Sequence, residues 1–286
     1  AASDVYKRQG MTIYSDYKRY NFRVNSSYKK GIFSLSENIA ITHRDKTPTT
    51  AFNISLPTLP IYDSEGRFFS GGGDYYINPE DGKAQNKIAP LHYTDRYNKV
   101  TDIIGAITAQ LDLWDGLKYK FSFSGNYSNS HNYTHTPEYY TKWNEDGTPD
   151  QDYGSPKNSI SESRGEEFTY TIDNLLTYSK TFAGHSIDAL VGTSWMREYY
   201  RSMSLATIND LGGTEITGFS SVVGKISAGD SNAALLSFFA RLNYDYKDRY
   251  LLSASIRRDE SSKFYKDNRV GYFPSVSAGW NAHQES

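Results

Sequence analysis

Aromatic side chains are concentrated in one polar segment, where they flank Gly71-Gly72-Gly73-Asp74. These residues are Tyr62, Phe68, Phe69, Tyr75 and Tyr76. Flat aromatic faces beside carboxylates and amides suit sugar rings, which offer apolar C–H faces as well as hydroxyl groups. The same rings could instead pack the segment against itself or against a partner protein, and both interpretations stay open here. The glycines do not form a phosphate-binding loop, because no Gly-Lys-Ser/Thr sequence follows them.

Two other groups of side chains partly match metal sites. Asp146, Asp150 and Asp152 could wrap a hard cation such as calcium, but their spacing misses the EF-hand pattern. Asp-Gly with a nearby proline is also ordinary turn chemistry. His131 and His135 have the separation of a zinc pair on a helix, yet they lie in a polar segment without a helical pattern. The sequence therefore predicts no metal site and no cofactor.

The composition gives little support to catalysis or to nucleic-acid binding. No Ser/His/Asp order, nucleophile elbow or paired-carboxylate motif stands out, so we expect no catalytic residues and no enzyme activity. The chain has 31 basic and 33 acidic residues, well mixed, and a net charge of −2, so it has no basic stripe for phosphates. Cysteine is absent, which excludes disulfides and thiolate chemistry.

The elements that must position these residues are long β-hairpins. In residues 101–113 every second residue is apolar or small, a turn follows at Trp114-Asp115-Gly116, and the alternation resumes over residues 117–127. A period of two on both sides of a short turn is typical of a β-hairpin. The same pattern predicts three further hairpins and a ninth strand that begins near Gly271. The further hairpins cover residues 21–41, 168–195 and 236–256, with turns at residues 29–31, 182–184 and 247–249.

The connections alternate between about three residues within hairpins and much longer segments between them. The long segments are residues 47–100, 130–165, 202–232 and 259–270. Short turns on one side and long loops on the other are typical of outer-membrane β-barrels. A soluble β-sandwich also alternates apolar and polar residues. However, its strands average about 5–6 residues, whereas these reach about 13, more than the ~9–11 that cross a bilayer.

The composition suits a barrel with a wet interior. Aromatic residues make up 15% of the 286 residues, with 25 tyrosines, while hydrophobic residues reach only 37%. Only the outward face of each barrel strand must be apolar, and aromatic rings belt the barrel at both interfaces. A mean hydropathy of −0.66 therefore does not argue against a membrane location. No stretch approaches the ~18 apolar residues of a spanning helix.

Two runs of residues in the last part of the chain are specific in sequence, residues 235–264, LLSFFARLNYDYKDRYLLSASIRRDESSKF, and residues 271–280, GYFPSVSAGW. The first run resembles a barrel hairpin of the SusC/RagA family of TonB-linked outer-membrane proteins, and the second run resembles the strand that follows this hairpin in the family. Earlier hairpins resemble the family more loosely, through Tyr20-Asn21-Phe22-Arg23, Asp115-Gly116-Leu117 and Lys180-Thr181-Phe182.

The resemblance implies a barrel of about 22 strands with an N-terminal plug, located in the bacterial outer membrane. It implies TonB-driven import of a nutrient, foremost an oligosaccharide and otherwise a peptide, with a SusD-like lipoprotein as lid. The expected partners are thus that lipoprotein, TonB, the substrate and membrane lipid. Alternatives are a passive porin-type or adhesive barrel, and a soluble β-rich carbohydrate-binding domain.

The chain is expected to be only part of such a barrel. About eight or nine strands are predicted, too few to close a barrel without open edges. Residues 1–10 fit nothing that follows and are interpreted as a non-native lead-in, whereas residues 11–286 are assigned to the barrel domain. The plug, the TonB box and a signal peptide are not found in this sequence, so we expect a partial, all-β transmembrane antiparallel barrel.

Overall fold

The alternating segments form ten long antiparallel strands in this computed structural model, which describes residues 2–9, 13–49, 60–71, 85–209 and 223–284. The sheet order follows the chain order. The ten strands are β1 (Ala2–Gln9), β2 (Asp16–Lys30), β3 (Phe33–Lys46), β4 (Asp95–Trp114), β5 (Leu117–Thr136), β8 (Asn158–Phe182), β9 (His185–Asn209), β10 (Val223–Tyr246), β11 (Tyr250–Ser261) and β12 (Val270–Trp280). The smaller elements are β6 (Tyr139–Tyr140) and β7 (Gly154–Ser155), which pair with each other, helix α1 (Ala89–Tyr93), and the 3-10 turns Lys266–Asn268 and Ala282–Gln284.

The short turns lie within one or two residues of their predicted positions. The β2–β3 turn is Gly31-Ile32, and the β4–β5 turn is Asp115-Gly116. Gly116 has φ +81°, a left-handed backbone conformation that residues other than glycine rarely adopt. These turns lie at one end of the sheet, here called the turn end, and the long connections lie at the opposite end, the loop end.

The strands are longer than the sequence predicted, and the four long connections are correspondingly shorter. The strands β8 and β9 have 25 residues each, and β5 runs to Thr136, beyond the predicted start of a loop at Ser130. The apolar alternation stops near Tyr127 because the following side chains are polar on both faces. Backbone pairing nevertheless continues, as in the pair Ser130↔Gly165. At ~3.3 Å per residue, 25 residues extend ~80 Å, so these strands project well beyond a bilayer.

The ten strands form an open sheet with β1 and β12 at its edges. Nine of them correspond to the predicted strands. The tenth is β1, in the segment that the sequence analysis set apart, and it pairs with β2 from Ala2↔Arg23 to Gln9↔Asp16. The interpretation of residues 1–10 as non-native stays a prediction.

The register places the apolar side chains of neighbouring strands on one face of the sheet. For example, Ile41 lies opposite Ile103, Ile103 opposite Tyr127, and Tyr127 opposite Phe168. Residues directly opposite each other in a ladder point to the same face. The opposite face carries mostly polar side chains and is called the polar face below.

Aromatic residues border this apolar face at both ends. Tyr119 and Tyr127 on β5 are eight residues apart, and so are Tyr272 and Trp280 on β12. Eight residues cover ~26 Å along a strand, close to the ~25 Å apolar band between the aromatic girdles of outer-membrane barrels. Large apolar side chains between these girdles stay exposed, such as Val276, which is 74% exposed. Among the described residues no helix is long and apolar enough to span a bilayer.

The buried apolar residues of the described ranges lie at the loop end, four of them in the connections and one, Ile160, near the loop-end start of β8. They are Phe68, Ala89, Leu91, Tyr153 and Ile160. Most of them belong to a folded group of connections, here called the loop-end unit. It comprises residues 60–71, 85–94 and 137–157.

Candidate functional site

One buried asparagine organises the first part of the loop-end unit. The amide nitrogen of Asn86 donates to the carbonyls of Ile61 and Phe69, both at 2.8 Å. Its Oδ1 accepts from the backbone N–H groups of Ile88 and Ala89, both at 2.9 Å. The Asn86 side chain therefore makes four hydrogen bonds to the backbone. Two are to carbonyl groups of residues 61 and 69, and two are to N–H groups at the start of α1.

A second set of bonds joins the first long connection to the second. The Ser70 N–H donates to the Thr141 carbonyl at 2.7 Å, and the two hydroxyl oxygens are 2.6 Å apart. The Asn86 N–H donates to the Ser70 hydroxyl at 2.8 Å, and the Thr141 N–H to the Tyr153 carbonyl at 3.0 Å. Ser70 and Thr141 are buried, so segments about 70 residues apart in sequence form one packed unit.

Two equivalent hairpins form the tip of this unit. The Asp63 N–H donates to the Arg67 carbonyl at 2.8 Å, and the Asn144 N–H donates to the Thr148 carbonyl at the same distance. The Arg67 guanidinium lies 4.1 Å from the centre of the Trp143 ring, so a cation–π contact joins the hairpins. It also pairs with the Asp63 carboxylate at 2.7 Å.

An aromatic cluster lies beneath the first hairpin. Phe68 contacts Tyr62, His92 and Tyr93 with ring centres 5.0, 5.2 and 5.5 Å apart. Tyr93 stacks on Tyr139 at 4.7 Å. Burial raises the pKa of Tyr139, and the neighbouring Tyr93 raises it further, so its phenol stays protonated and can donate a hydrogen bond. Tyr62 is 52% exposed and Tyr93 is 38% exposed, which leaves ring faces available to a ligand.

The predicted ligand-contacting residues differ in their placement. The structure brings Tyr62 and Phe68 together as a bridged pair, but only Tyr62 is exposed, because Phe68 is 6% exposed and packs the unit. Phe69 is half-buried and its carbonyl accepts from Asn86. Tyr75 and Tyr76 lie outside the described residues. Ligand contact by these five residues stays a prediction.

Sequence reasoning missed His92, Tyr93 and Tyr139 as members of the cluster. The first two lie in Pro90-Leu91-His92-Tyr93, and Tyr139 follows Pro137 in a pair of tyrosines. Aromatic residues two or three positions after a proline in a long polar connection were the available signal. Their meeting depends on the docking of the two connections, which no local pattern reveals.

Two of the three acidic side chains considered as calcium ligands, those of Asp146 and Asp150, have other partners. Asp146 accepts from the hydroxyl and the N–H of Thr148, and these bonds lower the pKa of its carboxyl. Asp150 pairs with Lys142 at 3.3 Å and accepts from the Asp152 N–H at 3.1 Å. Aspartate side chains that accept from groups two residues later are typical of turns, so these bonds stabilise the hairpin.

The two histidines also bind separate partners. His131 pairs with Glu162 at 2.8 Å, whereas His135 pairs with the side-chain oxygen of Asn158 at 2.8 Å. In the described ranges no three acidic, histidine or cysteine side chains converge as metal ligands would.

Several basic side chains lie on the polar face of the sheet. Lys118, Lys120, Arg241 and Arg257 share this face with serine, threonine and asparagine side chains, as the pairs Lys118↔Thr177 and Arg241↔Ser255 show. Arg258 instead lies on the apolar face, 5.8 Å from the centre of the Phe238 ring and 2.9 Å from Glu260.

Comparison with known sequences identifies one matching family over most of the chain. Residues 48–285 match the family described as TonB dependent receptor-like, beta-barrel. The TonB-dependent receptor P26 of Formosa agariphila is 27% identical over 279 residues, which is 95% of this chain and 26% of that protein. The TonB-dependent receptor SusC of Bacteroides thetaiotaomicron is 25% identical over 259 residues, covering 80% of this chain and 23% of SusC. The chain thus spans about a quarter of the length of these curated relatives.

A solved structure has the same fold. The structure titled as the RagAB peptide transporter superposes with a TM-score of 0.74 at 17% identity, covering 98% of this chain and 32% of that one. The open ten-stranded sheet is therefore part of a larger antiparallel barrel, as the sequence predicted.

Proposed function

Because the chain belongs to the TonB-dependent receptor β-barrel family, we propose that the complete protein actively imports a nutrient, foremost an oligosaccharide, across the bacterial outer membrane. The protein is located in that membrane, and the exposed apolar band of the sheet is the face that contacts lipid. The polar face then lines the lumen, and the loop end faces the exterior.

The observation that carries the proposal is the aromatic surface on the loop-end unit. Tyr62 presents about half of its surface to solvent, on a hairpin whose other exposed side chains include Glu65 and Arg67. An aromatic face beside charged and amide groups suits a sugar ring. We assign ligand contact to Tyr62, Phe69, Tyr75 and Tyr76, and a supporting role to Phe68.

Two partners complete the proposed mechanism. A SusD-like lipoprotein would cover the loop end and retain the ligand above the lumen. TonB would pull on a plug inside the complete barrel and so open the path. The chemistry is binding and gating, without bond cleavage.

A peptide is the second candidate substrate, because the RagAB structure is titled as a peptide transporter. The porin-type and adhesive alternatives predict uptake or attachment without energy input. The soluble carbohydrate-binding alternative predicts that the protein is found outside the membrane fraction of the cell.

The test is uptake in the source bacterium, with the complete gene deleted or restored. We expect labelled oligosaccharide to accumulate only with the gene present, and to stop accumulating when TonB is deleted. Labelled peptide of similar mass separates the two substrate classes. Uptake that is independent of TonB would support a passive barrel, and unchanged uptake of both substrates in the deletion strain would refute import.

A further inference from the structure

Arg197 is an exposed cation on the lipid-facing side of the sheet, at the loop-end edge of the apolar band. On β9 this face carries Val191 and Trp195, and Arg197 is the next residue of the same face toward the loop end. It lies opposite Tyr170 on β8 and Ala234 on β10. The rings of Trp195 and Tyr170 pack edge to face with their centres 5.7 Å apart. Arg197 therefore lies at the aromatic girdle that borders the band.

The surroundings of Arg197 on this face contain no carboxylate. Eight side chains surround it, two along its own strand and three on each neighbouring strand. All of them are aromatic or aliphatic except Asn232. In the part of the chain that the structure describes, the only hydrogen-bond partner of the guanidinium is Oδ1 of Asn232, which accepts from Nε at 3.2 Å. The Nη1 and Nη2 groups are therefore available to an anion from outside the sheet.

Two other arginines that point outward have acidic partners. Arg164 pairs with Glu162 at 2.9 Å through Nε, and Arg258 pairs with Glu260 at 2.9 Å through Nη2. In each pair the carboxylate balances the charge of the guanidinium. Arg197 differs because its whole positive charge is presented to the surroundings of the barrel.

Arg201 allows a close comparison on the same strand. It lies four residues from Arg197, on the same face, and is also exposed. However, the residues directly opposite Arg201 are Glu166 on β8 and Asp230 on β10. Two carboxylates therefore flank Arg201, whereas a phenol ring and a methyl group flank Arg197.

The position of Arg197 matches the level of the lipid headgroups. The polar layer outside the hydrocarbon is about 5–8 Å thick on each side of a bilayer, and a long basic side chain extends into such a layer from the edge of an apolar surface. A planar guanidinium binds two phosphate oxygens at once through parallel N–H groups. A lipid phosphate is thus the anion whose charge, geometry and location match Arg197.

We propose that the Nη groups of Arg197 bind the phosphate of a membrane lipid in the leaflet at the loop end. The girdle rings of Trp195 and Tyr170 lie beside the same lipid, where its acyl chains begin. This lipid site depends on the location of the protein in the outer membrane and not on import. Failure of the lipid site and failure of the proposed import are therefore separate results.

The test is photocrosslinking of the complete protein in a non-ionic detergent. The probe is a phosphatidic acid with a diazirine in its acyl chain, and a diacylglycerol with the same chains but without the phosphate is compared with it. Crosslinked residues are mapped by mass spectrometry of peptides. The unchanged protein should crosslink phosphatidic acid on residues 187–199 more strongly than diacylglycerol.

Arg197→Met keeps the length of the side chain and removes its charge. Half-saturation of the phosphatidic acid crosslink on residues 187–199 should then need an about fivefold higher lipid concentration, because one basic side chain near an anionic lipid contributes about this factor. The matched control is Arg201→Met, which should leave the crosslink unchanged. Crosslinks on β4 should stay equal in all three proteins and so show that the barrel remains folded.

Three results would overturn the proposal. The first is equal crosslinking of the two lipids in the unchanged protein, since the phosphate would then have no effect. The second is an equal loss in Arg197→Met and Arg201→Met, since the attraction would then come from the general charge of the surface. The third is an unchanged crosslink in Arg197→Met together with the loss of an oligomer on size-exclusion chromatography, which would assign Arg197 to a contact between copies of the protein.

Discussion

In the sheet, Val191 and Ile256 leave 59% and 52% of their surfaces uncovered, whereas in the loop-end unit Leu91 leaves 2% and Ala89 none. The same chain therefore places apolar side chains outward in one region and inward in the other. Lipid solvates the first region and water the second, so each arrangement removes apolar surface from water.

The polar groups follow the same division. In the loop-end unit they are paired internally, and the four hydrogen bonds of the Asn86 side chain are the main example. In the sheet, backbone groups pair strand to strand, as any backbone inside a bilayer must. The stability of the sheet therefore depends on the register of its strands, whereas the stability of the loop-end unit depends on a few buried side chains. Substitutions that act on one region and spare the other test this comparison.

The largest expected effect is a charge on the lipid-facing side of the sheet. Ile107→Arg places a cation near the middle of the apolar band, where it costs ~2–4 kcal/mol in outer-membrane barrels. The matched control is Ile104→Arg, because Ile104 lies on the same strand, faces the lumen and is 54% exposed against 41% for Ile107. Urea titration of the complete protein folded into lipid vesicles measures both. Equal losses of unfolding free energy in the two variants would contradict the assignment of one face to lipid and the other to the lumen.

Loss of the Asn86 side chain is expected to act on the loop-end unit alone. Asn86→Ala removes the acceptor of the half-buried Ile88 N–H and of the buried Ala89 N–H, and a buried donor without an acceptor costs about 1–3 kcal/mol. Hydrogen exchange should become faster in residues 60–71 and 85–94 and stay unchanged in β8 and β9. Asn132→Ala, at an exposed position, is the control. Faster exchange in β8 and β9 as well would show that the two regions unfold together.

These two regions also differ in how far the sequence predicted them. The hairpins from β2 to β12 could be predicted because a two-residue period and a short turn are local signals. Their loop-end extensions could not, because Ser128, Asn129 and Ser130 carry no alternation although they lie in β5. The family resemblance predicted the barrel but not its loops.

The aromatic cluster of the loop-end unit could be predicted only in part. The contact between Tyr62 and Phe68 could be expected because the two residues lie close together in sequence, and their role in ligand binding stays a prediction. Tyr139 joins them only after Ser70 binds Thr141 across about 70 residues.

A smaller effect is expected for an exposed ring of the loop-end unit. Tyr62→Ala should weaken binding of the imported oligosaccharide about five- to tenfold, because one aromatic stacking contact contributes ~1 kcal/mol. Trp114→Ala removes an even more exposed ring, 77% against 52% for Tyr62, at the turn end and should leave the affinity unchanged. Isothermal titration with the complete protein compares the two variants. A loss in both, or in neither, would remove Tyr62 from the ligand surface.

The smallest effect is a local pH dependence at the tip of the loop-end unit. Partial burial raises the pKa of Asp63, but hydrogen bonds from the Arg67 side chain and from the N–H groups of Arg67 and Glu65 outweigh it, so the pKa lies below the ordinary value of an aspartate. A carboxyl whose pKa is lowered on folding stabilises the fold above its unfolded pKa, and that contribution is lost as the pH falls through the lower folded value. Amide exchange at Glu65 and Arg67 should therefore rise below that value, whereas amides of β9 keep their protection over the same range. In Asp63→Asn the tip should lose its dependence on pH, and a dependence that persists there would assign the transition to another carboxyl.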